Sequence, residues 1–327
     1  MDSLSWLIKI SRRHFILPFY HTVSNNELLH IKHLYTIKNE KQFRNDLDVF
    51  LKHYSPVDVA TVLSTLKNGK TLDKPSFLLT FDDGLREIHD MVAPILKEKG
   101  VPAVFFLCPA FLDNKELFYR FKVSIIIENY RKTGTTLQRK VDEWLRLHQI
   151  FRRNAVYSFH SITYKQRHLL DDIADLLSIS FSDYLAQHRP FLTSLQVENL
   201  VKDGFDIGSH SLDHPDYRHI SYDEQLMQTR ESVRFIKERF AVRYSLFSFP
   251  YTDHRLPLDF LVDILLTENA FLDLSFGSSG MKDGCFGFHL HRIPMETSGW
   301  NAQKILQKNY LLYMAKTLIA KNKEIRR

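Results

Sequence analysis

The sequence predicts an α/β fold in which short buried strands alternate with amphipathic helices and form a parallel sheet or barrel. Two observations support this fold class: the order strand, helix, strand recurs along the chain, and charged residues follow apolar runs. A third observation concerns the domain organisation, because a polar and helical stretch over residues 113–200 interrupts the alternation. At 327 residues and 44% hydrophobic content, the chain can bury one large core or two modest ones. We expect a single domain over 1–327 with a helical insertion at 113–200.

The first half of the chain reads as successive βα units. The run "HFILPFYH" predicts a strand, and a helix near 40–54 carries Phe43, Leu47 and Phe50 on one side. The run "SFLLTF" predicts the next strand, followed by a helix that ends at Gly100 and by the strand "AVFFL".

The alternation resumes after residue 200. "FDIGSH" predicts a strand, the spacing of Ser221 and Glu224 predicts a capping box at the start of a helix, and "YSLFSFP" predicts another strand. The C-terminal stretch 300–327 predicts a closing helix with apolar positions that include Ile305 and Leu312.

Two polar motifs stand where strands end. Asp82 and Asp83 follow the apolar run in "LLTFDDG", and His210 and His214 follow "FDIG", four residues apart. On one helical turn this spacing would put both imidazoles on the same face. Two imidazoles and one carboxylate suit a catalytic divalent metal with an open position. A cation would offset the repulsion between the aspartates, so that one is a ligand and its neighbour takes a proton from water.

These motifs resemble the signatures of the polysaccharide deacetylases, the carbohydrate esterases with NodB homology. The family patterns T-F-D-D-G and H-[ST]-x-x-H stand here at 80–84 and 210–214, and a Pro-Tyr pair stands in "FSFPYTDH" at Pro250 and Tyr251. The three elements together, each after an apolar strand, are a strong signal. The resemblance reaches from about Pro18 to Pro294 and leaves the insertion uncovered.

The resemblance implies a distorted (β/α) barrel with fewer than eight regular strands, and hydrolysis of an N-acetyl group on an amino sugar of a polysaccharide or glycan precursor. It implies that Asp82 is the general base and that the backbone N–H of Tyr251, after Pro250, helps to hold the oxyanion. The implied ligands of one divalent metal ion are Asp83, His210 and His214. Zinc is the first choice, and cobalt, nickel and iron are alternatives.

The sequence departs from the family pattern near the base, at Thr252 in place of a common glycine and in the lack of a clear Asp-Trp element, and it leaves the general acid open. Ser248 stands where an arginine usually accompanies the base, so the base lacks its usual partner. The general acid has two candidates. His21 in "LPFYHTVS" is similar to the early histidine of the circularly permuted branch that deacetylates poly-N-acetylglucosamine, and His291 in "FHLHRIP" matches the late histidine of the common pattern. We take His21 first and His291 second.

Two alternative functions remain open: a saccharide-binding protein on a degenerate deacetylase scaffold, and a metal-dependent amidase that acts on a small non-sugar amide. The formal charge of +6 comes from scattered basic residues, which predicts a solvated surface and no nucleic-acid partner. Attraction to anionic lipid head groups would suit a membrane-linked glycan substrate.

The N-terminal residues suggest no export signal, so we expect a cytoplasmic protein, with peripheral membrane contact as an option. Cys108 and Cys285 are expected to be buried apolar residues.

Overall fold

The computed structural model describes residues 2–284 and 286–318, in which short strands and helices alternate. The strands are β1 (Phe15–Ile16), β2 (Pro18–Tyr20), β3 (Ser55–Pro56), β4 (Ser76–Phe77), β5 (Leu79–Phe81), β6 (Ala103–Leu107), β7 (Asp206–Ser209), β8 (Leu246–Ser248), β9 (Leu274–Gly277), β10 (His289–His291) and β11 (Ile293–Pro294). The helices are α1 (Ser3–Ser11), α2 (Glu40–His53), α3 (Val59–Lys67), α4 (Ala93–Lys99), α5 (Tyr119–Lys132), α6 (Thr135–Leu147), α7 (Ala155–Ser161), α8 (Leu169–Leu176), α9 (Phe181–His188), α10 (Ser194–Lys202), α11 (Tyr222–Phe240), α12 (Leu258–Leu265) and α13 (Ala302–Leu318).

The main sheet is an eight-stranded, all-parallel sheet in the order β10-β9-β8-β7-β6-β5-β2-β11. Its two edge strands, β10 and β11, are separated along the chain by Arg292 alone. One continuous segment therefore pairs with β9 and then with β2, which brings the two edges of the sheet together. The result is a nearly closed (β/α) barrel, which confirms the predicted fold class. The sheet has eight strands, so the expectation of fewer than eight is wrong, and two of the eight, β10 and β11, come from one chain segment.

Apolar side chains fill the inside of the barrel and the space around it. Alternate strand residues and the face of α3 form the inner cluster, which is made by Leu17, Val59, Val62, Leu63, Leu78, Val104, Phe106, Leu246, Leu274 and Phe276. Gly208 belongs to this layer because a Cβ there would lie 2.5 Å from the Phe106 ring. Helices α1, α2, α4, α10, α11 and α13 pack on the outer face through a second cluster. The inner and outer apolar clusters pack on the two faces of the sheet and hold in place the strand ends at which the polar residues lie.

Residues 113–200 are helical and contain α5 to α9 and the start of α10. Within the described residues of this range there is no strand, and one isolated bridge joins Phe191 to Leu85. The helices enclose an apolar cluster of their own that includes Ile126 and Phe159, both fully buried. This cluster gives the helical region a core beside the barrel core.

The structure adds one element that the sequence analysis did not predict, the N-terminal helix α1, capped by the side chain of Asp2. The predicted helices near 40–54 and after Ser221 are confirmed as α2 and α11, and Gly100 ends α4 with a φ of 64°. The C-terminal helix runs over Ala302–Leu318. Cys108 is buried, whereas Cys285 and 319–327 lie outside the described residues. No described helix has the length and apolar character that a membrane span requires.

Candidate active site

Polar side chains from several strand ends line one cavity of about 310 Å³ at the carboxyl edge of the barrel. Asp82 and Asp83 follow β5, His21 follows β2, and His210 follows β7. Parallel strands bring these ends to the same edge, so residues far apart in sequence meet there. His214, Tyr251 and Arg292 complete the polar lining, and a cavity of this size suits a small ligand.

Asp83, His210 and His214 form a buried cluster of side chains that could hold a metal ion. The Oδ1 atom of Asp83 lies 3.6 Å from Nε2 of His210 and 3.3 Å from Nε2 of His214, and this oxygen has no hydrogen-bond partner among the described residues. His210 donates its Nδ1–H to the carbonyl of Ser248 at 2.8 Å, which leaves Nε2 with a lone pair. Burial lowers the pKa of His210 to about 4 and keeps it neutral. These donors fit a divalent transition metal.

The two histidines converge through a loop and not through a helix. Ser211 and His214 have φ values of 67° and 63°, and the Ser211 hydroxyl accepts a hydrogen bond from the His214 N–H at 3.0 Å. The predicted helical turn at 210–214 is therefore wrong. Its residues still face one another because the left-handed backbone at Ser211 and His214 turns both imidazoles toward Asp83.

Asp82 has an arginine partner that sequence reasoning missed. Arg292, between β10 and β11, donates from Nη1 and Nη2 to the two carboxylate oxygens of Asp82, each at 2.7 Å. The same guanidinium donates to the hydroxyls of Ser248 at 2.6 Å and Thr80 at 3.1 Å. Burial raises the pKa of Asp82, but the adjacent positive charge lowers it by more, so the carboxylate stays ionised.

The expectation that the base lacks an arginine is therefore corrected. The guanidinium reaches Asp82 from the closing segment of the barrel, and Ser248, at the usual arginine position, is short enough to leave room for it. The available sequence signal was an arginine inside the apolar strand pattern "HLHRIP".

His21 pairs with Glu296, a second residue that sequence reasoning missed. The Nδ1 atom of His21 lies 2.5 Å from Oε2 of Glu296, whose Oε1 accepts from the backbone N–H groups of His21 and Thr22 at 3.0 and 3.2 Å. The ring of Tyr35 packs over the imidazole at 4.4 Å. Burial lowers the pKa of His21, but the Glu296 carboxylate outweighs it and raises the pKa to about 9. His21 is therefore protonated at neutral pH.

His291, the second candidate for the acid, lies elsewhere. It is buried next to Asp253 and His289 and is not among the described residues that line the cavity. Strand alternation explains this, because Arg292 faces the inside of the barrel and His291 faces the outside.

Tyr251 lines the cavity, has a φ of 56°, and packs its ring at 4.8 Å from that of His214. Pro250 is buried and is not among the described lining residues.

The helical region reaches the cavity through the start of α5. Phe118 and Arg120 line it, and the ring of Phe118 lies 4.4 Å from that of His214. The hydroxyls of Tyr119 and Tyr251 share a hydrogen bond of 2.8 Å. The start of α5 therefore forms one wall of the site and holds the Tyr251 side chain.

The fold and the site together define a (β/α) barrel with a carboxylate and imidazole centre at the carboxyl ends of its strands. A family model described as "Polysaccharide deacetylase" matches residues 69–258, which is more than half of the chain. The chain therefore belongs to the polysaccharide deacetylase family. No curated protein matches it at a significant level.

Solved structures share the fold at low sequence identity. The Streptococcus pyogenes deacetylase PplD, in complex with acetate, is 15% identical, with 90% of this chain and 96% of that chain covered and a TM-score of 0.55. IcaB from Ammonifex degensii is 14% identical, with coverages of 90% and 97% and a TM-score of 0.54. BC0361, a polysaccharide deacetylase from Bacillus cereus, is 10% identical, with coverages of 91% and 69% and a TM-score of 0.53. At these identities the similarity supports the fold alone.

Proposed function

We propose that this hydrolase removes the N-acetyl group from an amino sugar of a polysaccharide or glycan precursor, with one divalent metal ion, zinc as the first choice, held by Asp83, His210 and His214. Membership of the family makes the protein an enzyme that hydrolyses amide carbon–nitrogen bonds. The choice of an N-acetylated saccharide rests on the family, and the titration states in the cavity support amide hydrolysis.

The observation that carries the proposal is that two groups of opposite role line the same cavity. Asp82 is held ionised by Arg292, and His21 is held protonated by Glu296. Neighbouring titratable groups whose environments push their pKa values apart are typical of an acid and base pair. Amide hydrolysis needs both, since water must lose a proton and the departing amine must gain one.

The residues can be assigned to successive steps. Asp82 accepts a proton from the attacking water, because a carboxylate has about four lone-pair sites and the Arg292 fork leaves some of them available. The N–H of Tyr251 stabilises the oxyanion as the carbonyl carbon becomes tetrahedral. His21 donates its proton to the nitrogen as the carbon–nitrogen bond breaks, so acetate and a free amine leave. A bound divalent ion would polarise the acetyl carbonyl and lower the pKa of water.

The arginine pairing weakens the alternative of a saccharide-binding scaffold that has lost its chemistry, since that alternative relied on a base without a partner. Acetate release decides between the candidates. The metal-loaded protein is incubated with N-acetylglucosamine oligomers and, separately, with small amides such as N-acetylated amines. Acetate from the oligomers alone supports the proposal. Turnover of the small amides alone supports the amidase, and binding of oligomers without acetate supports the binding protein.

We also propose that the packed pair α1 and α13 contacts anionic lipid. Trp6 and Ile10 on α1 are 53% and 44% exposed, and Leu311 on α13 is 55% exposed. The two helices carry four lysines and no acidic residue within their bounds, and Ser3 accepts a hydrogen bond from Gln307 across them. Exposed tryptophan and leucine beside lysines favour the interface of a negatively charged membrane. Such contact would place the enzyme beside a lipid-linked glycan.

A further inference from the structure

A second cluster of metal-ligand type lies on the outer face of the barrel. Asp253, after β8, meets His289 and His291 of β10, and their candidate ligand atoms all lie within 4.8 Å of one another. The Oδ2 atom of Asp253 is 3.2 Å from Nε2 of His289 and 3.8 Å from Nδ1 of His291. All three side chains are fully buried. These separations are similar to those of the Asp83 set, which are 3.6 and 3.3 Å.

The surroundings orient the cluster as a ligand set. The Nδ1 atom of His289 lies 2.7 Å from the Ser275 hydroxyl. Without an ion, Nε2–H of His289 donates to Oδ2 of Asp253 at 3.2 Å. When the proton is instead on Nδ1 and is donated to the Ser275 hydroxyl, Nε2 offers a lone pair to a cation held between it and the carboxylate. The other carboxylate oxygen, Oδ1, accepts from the Ser278 N–H at 3.1 Å. Asp253 and His289 are thus each oriented by a second contact, as is usual around bound metals.

The space at the strand also fits the cluster. At Gly277 a Cβ would lie 2.4 Å from Oδ1 of Asp253, so the carboxylate can pack directly against the strand only because this residue is glycine.

We propose that Asp253, His289 and His291 bind a second divalent transition metal ion, of the zinc class, with a structural role. Two neutral imidazoles and a carboxylate are the donors that such ions prefer. This inference is independent of the proposed deacetylation, because none of the three residues lines the candidate active site among the described lining residues.

The position of the cluster gives the ion its role. Asp253 stands two residues after Tyr251, and His291 immediately precedes Arg292, the partner of Asp82. Ser278, whose N–H bonds Asp253, also donates its hydroxyl to the Tyr251 carbonyl at 3.1 Å. An ion here fastens the loop of Tyr251 to the strand that closes the barrel, and so acts as a positioning element for both residues.

Metal counting by inductively coupled plasma mass spectrometry, after reconstitution of the full chain with Zn²⁺ and removal of excess, tests the proposal. The wild type should hold two equivalents. The double variant His210→Ala/His214→Ala should hold one, and adding His291→Ala to that double variant should leave none. The proposal is overturned if the wild type holds one equivalent and the double variant holds none.

Thermal unfolding of the double variant keeps the test independent of whether the triple variant folds. Zn²⁺ at a hundredfold excess over its dissociation constant should raise the melting temperature of the His210→Ala/His214→Ala protein by about 5 °C. An unchanged melting temperature contradicts the second site. If the wild type binds one equivalent at the Asp83 set and none at Asp253, the second site is refuted while the deacetylase assignment stands. Failure of this proposal is therefore distinguishable from failure of the proposed function.

Discussion

Replacing Glu296 with glutamine should move the basic limb of the pH–rate profile to lower pH. The carboxylate of Glu296 lies 2.5 Å from Nδ1 of His21 and is the main charge that raises the pKa of this histidine to about 9. Glutamine keeps the size of the side chain and a hydrogen-bonding oxygen but removes the negative charge. Burial, the largest single influence on the pKa of His21, lowers it, and only the carboxylates of Asp83 and Asp82 then oppose it. The pKa of His21 should fall to its ordinary value of about 6.5 or below.

The size of the effect follows from the protonated fraction. At pH 7.5, a pKa of about 9 leaves roughly 97% of His21 protonated, whereas a pKa of about 6.5 leaves roughly 9%. A reaction that needs the protonated form should therefore slow about tenfold at pH 7.5. The direction of the shift follows from the charge of His21, which is protonated below its pKa. Wild-type turnover should therefore persist up to about pH 9, and the variant should lose turnover from near pH 6.5 upward.

The assay is kcat/KM for acetate release between pH 5 and pH 10, on the wild type and Glu296→Gln. A matched control is Glu128→Gln, because Glu128 also pairs with a histidine, His33 at 2.9 Å, and is not among the described residues that line the cavity. Glu128→Gln should leave the profile unchanged. A Glu296→Gln enzyme whose basic limb stays at the wild-type pH would refute the assignment of His21 as the acid.

Further expectations concern the base, its partner and the surface. Asp82→Asn should keep the metal content and lower turnover by roughly 10²-fold or more, which metal analysis and an acetate assay on the same sample check. Arg292→Met leaves a buried carboxylate without its partner and should lower the free energy of unfolding by roughly 3–5 kcal/mol in a denaturant titration, and adding Asp82→Asn should recover part of the loss. Unchanged stability of the single variant would contradict the ion pair. Trp6→Ala combined with Leu311→Ala should weaken co-sedimentation with phosphatidylserine-containing vesicles and leave turnover of soluble oligomers unchanged. Equal sedimentation of variant and wild type would argue against the lipid-contact face.

The parts of the site that follow strands could be predicted from the sequence. Asp82, Asp83 and His210 each stand within two residues of the end of a strand, and in a parallel barrel such positions share one edge. Local pattern was therefore enough to bring these residues together and to place His214 with them. His21 was reached by resemblance, and the structure puts it in the same cavity.

The partners of these residues could not be predicted, because they depend on how the barrel closes. Arg292 is 210 positions from Asp82, and Glu296 is 275 positions from His21. Arg292 lies within the β10–β11 segment that joins the two edges of the sheet, and Glu296 follows two residues after that segment. The local pattern of apolar and polar residues does not indicate which strand closes a barrel.

The helical turn predicted for 210–214 failed for a different reason. Spacing of four residues fits a helix, but it fits equally a loop in which Ser211 and His214 adopt positive φ, and residue identity at these positions does not separate the two.

Acetate release from N-acetylglucosamine oligomers, measured on Zn²⁺-loaded protein together with the appearance of free amine, tests the central claim most directly. The wild type should release acetate and amine in equal amounts. His214→Ala should lose the activity together with one equivalent of metal, because His214 belongs to the ligand set around Oδ1 of Asp83. The claim is contradicted if the loaded wild type binds the oligomers but releases no acetate, or if His214→Ala keeps both its metal and its full rate.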